Sequence, residues 1–448
     1  MPVARRAFLP ALLLAACCLL APGPAGAADI QVHREVLDNG LVLQVVERHA
    51  LPIVTVQMGI RAGAALDPRG AAGTASLTAA LLTEGAAGHS ANEIADAIEF
   101  VGGRLGAGVE EDFARATVTV LSRDLDTGLG LLADVVRRPA FEPKEVERVK
   151  KEVLGGIEAD EDEPAKVAGK AFDEALFGAH PYAHPPEGDR DGVVAATPES
   201  LRAFHDRYYH PDGSVLNFVG DVTVEQARAK ARSAFGDWPR GGAAPPAPEP
   251  VSPPKGIDLI RIDRPVTQAT VIMGHLGLRR SDPDFYPAIV MNYILGGGGF
   301  ASRLVNSVRE EQGLAYSIGS GFTALADPGS FAVQFQTRNA AANQAIAAVQ
   351  SQLRRIRIGA VTPEELADAK ANLVGGFPLR VDTNGEMAGL LTFIEMYGLG
   401  TGYFDDYIRN VQAVTRRDVH RIARKYLHPD DAVWVVVANQ AEADVRVP

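Results

Sequence analysis

Thiol chemistry is nearly absent from this chain. Its two cysteines, Cys17 and Cys18, both lie in the first 27 residues. Without that segment the protein has neither a disulfide nor a thiolate nucleophile. Basic charge is also in short supply: 44 Lys and Arg face 56 Asp and Glu, a formal net charge of −12. That balance excludes the basic footprint of a nucleic-acid binder. No Gly-x-Ser-x-Gly elbow is present, which argues against an independent serine hydrolase. Gly296 to Gly299 lacks the Gly-Lys-Ser/Thr ending of a phosphate loop. The acidic run Glu158 to Glu163 lacks the glycine that turns a calcium loop. Beyond the N-terminus no apolar run is long enough to span a membrane.

What is present begins with an address. Arg5 and Arg6 precede an apolar run from Ala7 to Ala21, followed by the small residues Ala25-Gly26-Ala27. This layout predicts a signal peptide over 1–27 and a periplasmic or secreted protein. Leu14-Ala15-Ala16-Cys17 also fits a bacterial lipobox, so a lipoprotein anchored at Cys17 is the alternative; membrane contact is expected only in that case.

One linker stands out, the Pro, Gly and Ala-rich stretch 241–256. It separates an N-terminal domain, 28–240, from a C-terminal domain, 257–448, each of ordinary domain size. The two halves echo each other. Asp67-Pro68 recurs as Asp282-Pro283, 282 − 67 = 215 residues later. Pro143, Lys150 and Gly155-Gly156 recur as Pro363, Lys370 and Gly375-Gly376, at 220, and Tyr208 recurs as Tyr426, at 218. Three echoes at nearly one offset indicate a duplicated domain. Alternating runs at 42–46, 53–60, 113–121 and 214–220 read as strands. Runs at 74–83, 91–101 and 125–136 read as helices, and Pro143 opens another. Strands and helices mix without strict alternation, so the expected class is α+β.

The segment 71–86 resembles the zinc-site helix of the M16 (insulinase/pitrilysin-like) peptidases, whose signature is an inverted H-x-x-E-H. Gly73, Ala75, Leu81, Leu82 and Gly85 hold that frame. Ser76 and Ala80 stand where the family has its zinc histidines, and Ala79 where it has the general base. Val153-Leu154-Gly155-Gly156-Ile157 resembles the helix of the third ligand, with Gly156 at the carboxylate's place. The resemblance extends over most of the chain, through Leu37-Asp38-Asn39-Gly40, His180-Pro181-Tyr182 and Tyr209-His210-Pro211 to Leu295-Gly296-Gly297-Gly298 with Ser302-Arg303-Leu304. It implies two homologous M16-type α/β sandwich domains in tandem. It also implies a chain that binds no cofactor at its degenerate site, since a hydroxyl, two methyl groups and a glycine offer no zinc donors.

The second half follows the family's pattern where the first departs from it. Arg309-Glu310-Glu311-Gln312-Gly313-Leu314-Ala315-Tyr316 resembles the stretch from which active members draw an arginine and a tyrosine for the substrate carbonyl and the oxyanion. Gly296, Gly297 and Gly298 are candidates for a loop that lets a peptide approach the backbone. Taken together, the resemblance implies a non-catalytic, substrate-binding subunit of a heteromeric zinc peptidase. Zinc would sit in a homologous partner with an intact H-x-x-E-H, and peptides would be the substrates. The alternative is a proteolytically inactive scaffold of an envelope assembly. His180 and His184 have a metal-like spacing, but Pro181 and Pro185 forbid a helix there and favour a structural loop.

Overall fold

The computed structural model describes residues 30–241 and 248–446. The signal segment, Cys17 and part of the linker lie outside them. Residues 32–446 belong to one compact unit.

The first half forms β1 (His33–Val36), β2 (Val42–Glu47), β3 (Ile53–Ile60), β4 (Arg104–Val109), β5 (Ala114–Leu121) and β6 (Ser214–Gly220). The second forms β7 (Ile257–Asp263), β8 (Gln268–Leu276), β9 (Ser317–Phe322), β10 (Ser330–Arg338) and β11 (Ala432–Ala438). The sheet orders are β1-β2-β6-β3-β5-β4 and β7-β11-β8-β10-β9. With β1 set aside they are the same order, and each contains one parallel pair, β2 with β6 and β7 with β11. The duplication read from three sequence echoes is thus a repeat of topology.

Helices of the first half are α1 (Thr74–Leu81), α2 (Ala91–Phe100), α3 (Leu125–Arg137), α4 (Pro143–Asp160), α5 (Pro164–Phe177), α6 (Arg190–Ala195), α7 (Pro198–Tyr208) and α8 (Val224–Phe235). Those of the second are α9 (Phe285–Asn292), α10 (Ala342–Ile358), α11 (Pro363–Gly375), α12 (Asn384–Met396), α13 (Tyr403–Ala413), α14 (Arg416–Tyr426) and α15 (Gln440–Ala443). Their starts follow local chemistry. Proline occupies the first turn of α4, α5, α7 and α11, where no amide partner is lost. Capping boxes at Ser90/Glu93, Thr362/Glu365, Thr383/Glu386 and Thr415/Asp418 satisfy orphan amides. The echoed lysines serve one purpose twice: Lys150 donates to the carbonyls of Val194 and Ala196 at the end of α6, and Lys370 to that of Gln412 in α13.

The halves exchange helices. α5, from the first half, packs on β8 and β11 of the second sheet, while α12 packs on β3 and β6 of the first. Strand β3 shows how one sequence serves two layers. Val54, Val56, Met58 and Ile60 join the first half's own core with Leu129 and Leu132 of α3. Thr55, Gln57 and Gly59 point the other way, to the face under α12, and are buried there or close-packed. The polar face of this alternating strand is therefore not a solvent face.

The two docks differ in chemistry. Under α12, Asn217 donates to Thr392 Oγ1 at 2.7 Å and Thr392 donates on to Gln57 Oε1 at 2.7 Å. Gln44 and Arg34 both reach Glu395. Under α5 the contacts are apolar: Ala168, Phe172 and Leu176 pack with Ile272, Val433, Val435 and Val437. A third tie joins the hairpin after β4 to the second half. Asp112 accepts from Tyr182 Oη at 2.6 Å, from Tyr397 Oη at 2.9 Å and from the Ala326 amide at 2.9 Å. His180 is buried in this tie, its Nδ1 accepting from the Tyr182 amide, as expected of a structural loop.

Candidate functional site

Helix α1 starts at Gly73, whose φ of 99° needs a residue without a side chain. The Asp67 carboxylate accepts from the amides of Gly73 at 2.6 Å and Ala75 at 2.7 Å. Burial nevertheless pushes this carboxyl up to about 6, against the pull of those two amides and His184. The helix is thus well anchored, with its zinc-frame positions in a defined place. Ser76 and Ala80 are half-buried and Ala79 is fully buried. Ala80 lies against the apolar seam where Leu77 and Leu81 meet Val146 and Val149 of α4, with Val153, Leu154 and Ile157 beside it.

Gly156 sits in α4, exposed, and a methyl group placed on it would meet no atom within 4 Å. Its lack of a side chain is not imposed by packing. Nearby carboxylates are occupied or out in solvent. Glu84, Glu145 and Glu152 all pair with Arg148, and Glu158 is exposed. Tested as a zinc site, this donor set does not fit: the frame offers one hydroxyl, no imidazole and no free carboxylate. Among the described residues no three His, Cys, Asp or Glu side chains gather into a metal-sized group.

The second half presents a different surface. After α9 the chain makes π-helical turns at Tyr293–Gly297 and Val305–Glu311. The three glycines have internal reasons for being glycine. A Cβ on Gly296 would fall 2.4 Å from Ser320 Oγ, on Gly297 2.6 Å from Asn292 Nδ2, and on Gly298 2.6 Å from the Tyr293 carbonyl. Gly296 lets the loop lie against β9, and Gly297 and Gly298 let it fold back on Asn292 and Tyr293, whether or not a peptide also approaches.

Arg309 lies in the second π-helical turn and Tyr316 just before β9. Leu314, between them, donates its amide to the Val308 carbonyl and accepts from Thr337 Oγ1 at 2.6 Å, which fixes the turn. Tyr316 is anchored by its amide on the Gln336 carbonyl, and its side chain is 74% exposed. Arg309 is half-exposed, 3.5 Å from the neighbouring Glu310 carboxylate, with its guanidinium 5.1 Å above the centre of the Phe300 ring. Among the described residues no hydrogen bond joins Arg309 to Tyr316. Both side chains are open to solvent, Tyr316 largely and Arg309 in part. Phe300 was not foreseen; its place beside the glycine turn was the only cue in the sequence.

The sheet edges differ too. The Glu110 amide donates to the Phe113 carbonyl. By alternation along the β4–β5 ladder, Leu105, Ala107 and Val109 then turn their amides and carbonyls away from β5. On β4, Gly106 and Gly108 face space where an added Cβ would meet nothing closer than Arg115 Nε at 4.0 Å. At the equivalent edge of the second sheet, Asn292 donates to the Ser320 carbonyl at 3.0 Å and so covers part of β9. The open edge belongs to the half with the degenerate frame.

Residues 44–190 match the family model described as insulinase (peptidase family M16), and residues 195–373 match that of the peptidase M16 inactive domain. The chain is 32% identical to the peptidase M16 inactive domain of Pseudomonas fluorescens, whose crystal structure superimposes with a TM-score of 0.86 over 91% of this chain and 98% of that one. It is 30% identical to an uncharacterised zinc protease of Mycobacterium leprae over 89% of each. It is 24% identical to a protein of Helicobacter pylori named as a non-peptidase homolog, over 92% of this chain and 95% of that one.

Proposed function

Because this chain belongs to the M16 peptidase family, as a non-catalytic, M16-like member, we propose that it is the substrate-binding subunit of a heteromeric zinc peptidase. The single observation that carries this reading is the contrast between the halves. The zinc frame has no imidazole or carboxylate on either α1 or α4, while Arg309 and Tyr316 remain solvent-accessible on the second half. In this reading a homologous chain with an intact H-x-x-E-H supplies zinc and the attacking water. Arg309 donates to a substrate carbonyl and Tyr316 to the developing oxyanion. Extended peptides add to the free edge of β4 through backbone hydrogen bonds, with Gly106 and Gly108 leaving room for their side chains. The N-terminal segment supports export, and peptides in the periplasm or outside the cell are the substrates.

The test is reconstitution with a zinc-bearing homologue from the same cell. Cleavage of labelled peptides should need both chains. Arg309→Ala and Tyr316→Phe should each lower kcat/KM of the complex by about 10²-fold, the usual loss of one oxyanion donor. Wild-type rates with both variants would overturn the reading. Zinc held stoichiometrically by the isolated chain, together with peptidase activity, would do so as well. The Helicobacter pylori relative is named a non-peptidase homolog, which fits both this reading and a second one, an inactive scaffold of an envelope assembly. A stable assembly purified without any zinc-bearing homologue would support that one instead.

A further inference from the structure

The two arginines of the segment 303–309 are held in opposite ways. Arg303 spends two of its nitrogens on Glu365, at 2.6 and 2.7 Å. The Arg309 guanidinium makes no hydrogen bond among the described residues. Its only carboxylate neighbour among the described residues, Glu310, is adjacent in sequence, 3.5 Å away and itself exposed. Its other neighbour is the Phe300 ring, whose centre lies 5.1 Å below the guanidinium.

Phe300 is an odd residue for its place. It is 70% exposed, so burial does not account for a phenyl group there. It follows Gly299, whose φ of 56° turns the loop so that residue 300 leaves the glycine run toward the second π-helical turn. A ring face and an ion pair hold a guanidinium differently. An ion pair uses N–H groups, as at Arg303. A ring attracts the cation through its π face and leaves the in-plane N–H donors uncommitted.

We infer that Phe300 is a positioning residue for Arg309, an aromatic platform that fixes the guanidinium while keeping its donors free for a peptide carbonyl. This rests on the reading of Arg309 as a substrate contact. The predicted ligand class follows from the geometry: peptides bound through main-chain carbonyls, with no requirement for an acidic side chain. The Phe300 ring occupies one face of the cation and Glu310 stands near it, which disfavours a second carboxylate.

The experiment uses the full chain and fluorescein-labelled casein peptides, with binding followed by anisotropy. Arg309→Ala should weaken binding by about tenfold or more, the loss of a charged hydrogen bond. Phe300→Leu should weaken it by about threefold, the size of an exposed cation–π contact, and Phe300→Trp should restore it. The double variant Phe300→Leu/Arg309→Ala should bind no worse than Arg309→Ala alone, which a merely structural role for Phe300 would not give. Circular dichroism of each variant should match wild type, because the ring is exposed. If Arg309→Ala weakens binding while Phe300→Leu does not, or the two losses add in the double variant, the platform is refuted and the function of Arg309 stands. If Arg309→Ala binds as wild type, the underlying reading falls and the platform with it.

Discussion

Gly59 and Gly274 occupy the same place in the two halves, 274 − 59 = 215 residues apart, each lying beneath a helix borrowed from the other half. A Cβ on Gly59 would fall 2.4 Å from Thr392 Cγ2 in α12. On Gly274 it would fall 2.3 Å from the Phe331 carbonyl and 2.6 Å from Phe172 Cζ in α5. Both glycines exist because a helix must approach the sheet closely.

Alanine at either position should therefore destabilise the protein, and at Gly274 more. Thr392 can rotate or shift, whereas the Phe331 carbonyl belongs to a paired strand. Gly59→Ala should cost about 1–3 kcal/mol and Gly274→Ala the upper end of that range or beyond, read from urea unfolding. Equal or negligible losses would mean that the exchanged helices are free to move away.

The two docks should respond differently to truncation. Thr392→Val removes the link between Asn217 and Gln57 and leaves both amides buried without it, at a cost of about 1–3 kcal/mol. Phe172→Ala empties an apolar contact and should cost about 3–5 kcal/mol. Thermal unfolding of the two variants would rank them, and a larger loss for Thr392→Val would reverse the assignment of the stronger dock.

Gly156→Ala should raise stability by about 1 kcal/mol, because it sits within α4 and a methyl group meets no neighbour. Gly155, equally unencumbered, should behave alike. No change in either variant would indicate a role for these glycines that packing does not reveal.

One buried and one half-buried group set opposite pH slopes. His275 donates from Nδ1 to the Leu276 carbonyl and accepts at Nε2 from the His428 amide, so it must be neutral. Burial pushes its pKa down to about 4. Between there and the unfolded value near 6.5 the unfolded chain binds more protons, so this residue makes stability rise with pH, by on the order of 3 kcal/mol across the window. Asp173 is the reverse. Burial, with Glu111 and Glu174 adding to it, pushes its carboxyl up to about 7. From about pH 4 to 7 the folded state binds more protons, so its contribution is present below that window and is lost as pH rises. Asp173→Asn should stabilise the protein at pH 8 relative to wild type by on the order of 1–3 kcal/mol and leave it unchanged at pH 4. His275→Gln should flatten the wild-type slope between pH 4 and 6.5. Parallel stability curves for wild type and either variant would remove that residue from the account.

Much of this architecture was readable from residues alone. The alternating runs at 53–60 and 214–220 are β3 and β6 with the same bounds. The echoed offsets near 218 became two sheets of one order. Helix exchange was not readable, because an apolar stripe on α5 says only that it will be buried, not by which sheet. Nor do the polar residues Gln57 and Asn217 reveal what covers them, since their partner Thr392 lies in the other half. At the site, the missing zinc donors could be read only through the resemblance that lays 71–86 and 153–157 on the family's frame; residue types then decide the chemistry. The platform under Arg309 could not be read, because a cation–π contact between positions nine apart depends on a loop turn that no periodicity encodes.

The exchange of α5 and α12 has a consequence for how this molecule would come apart. A protease that severed the chain between the lobes would release nothing, since each fragment would still be clasped by a helix of its neighbour. The covalent tether supplies proximity, and cohesion comes from the interlock.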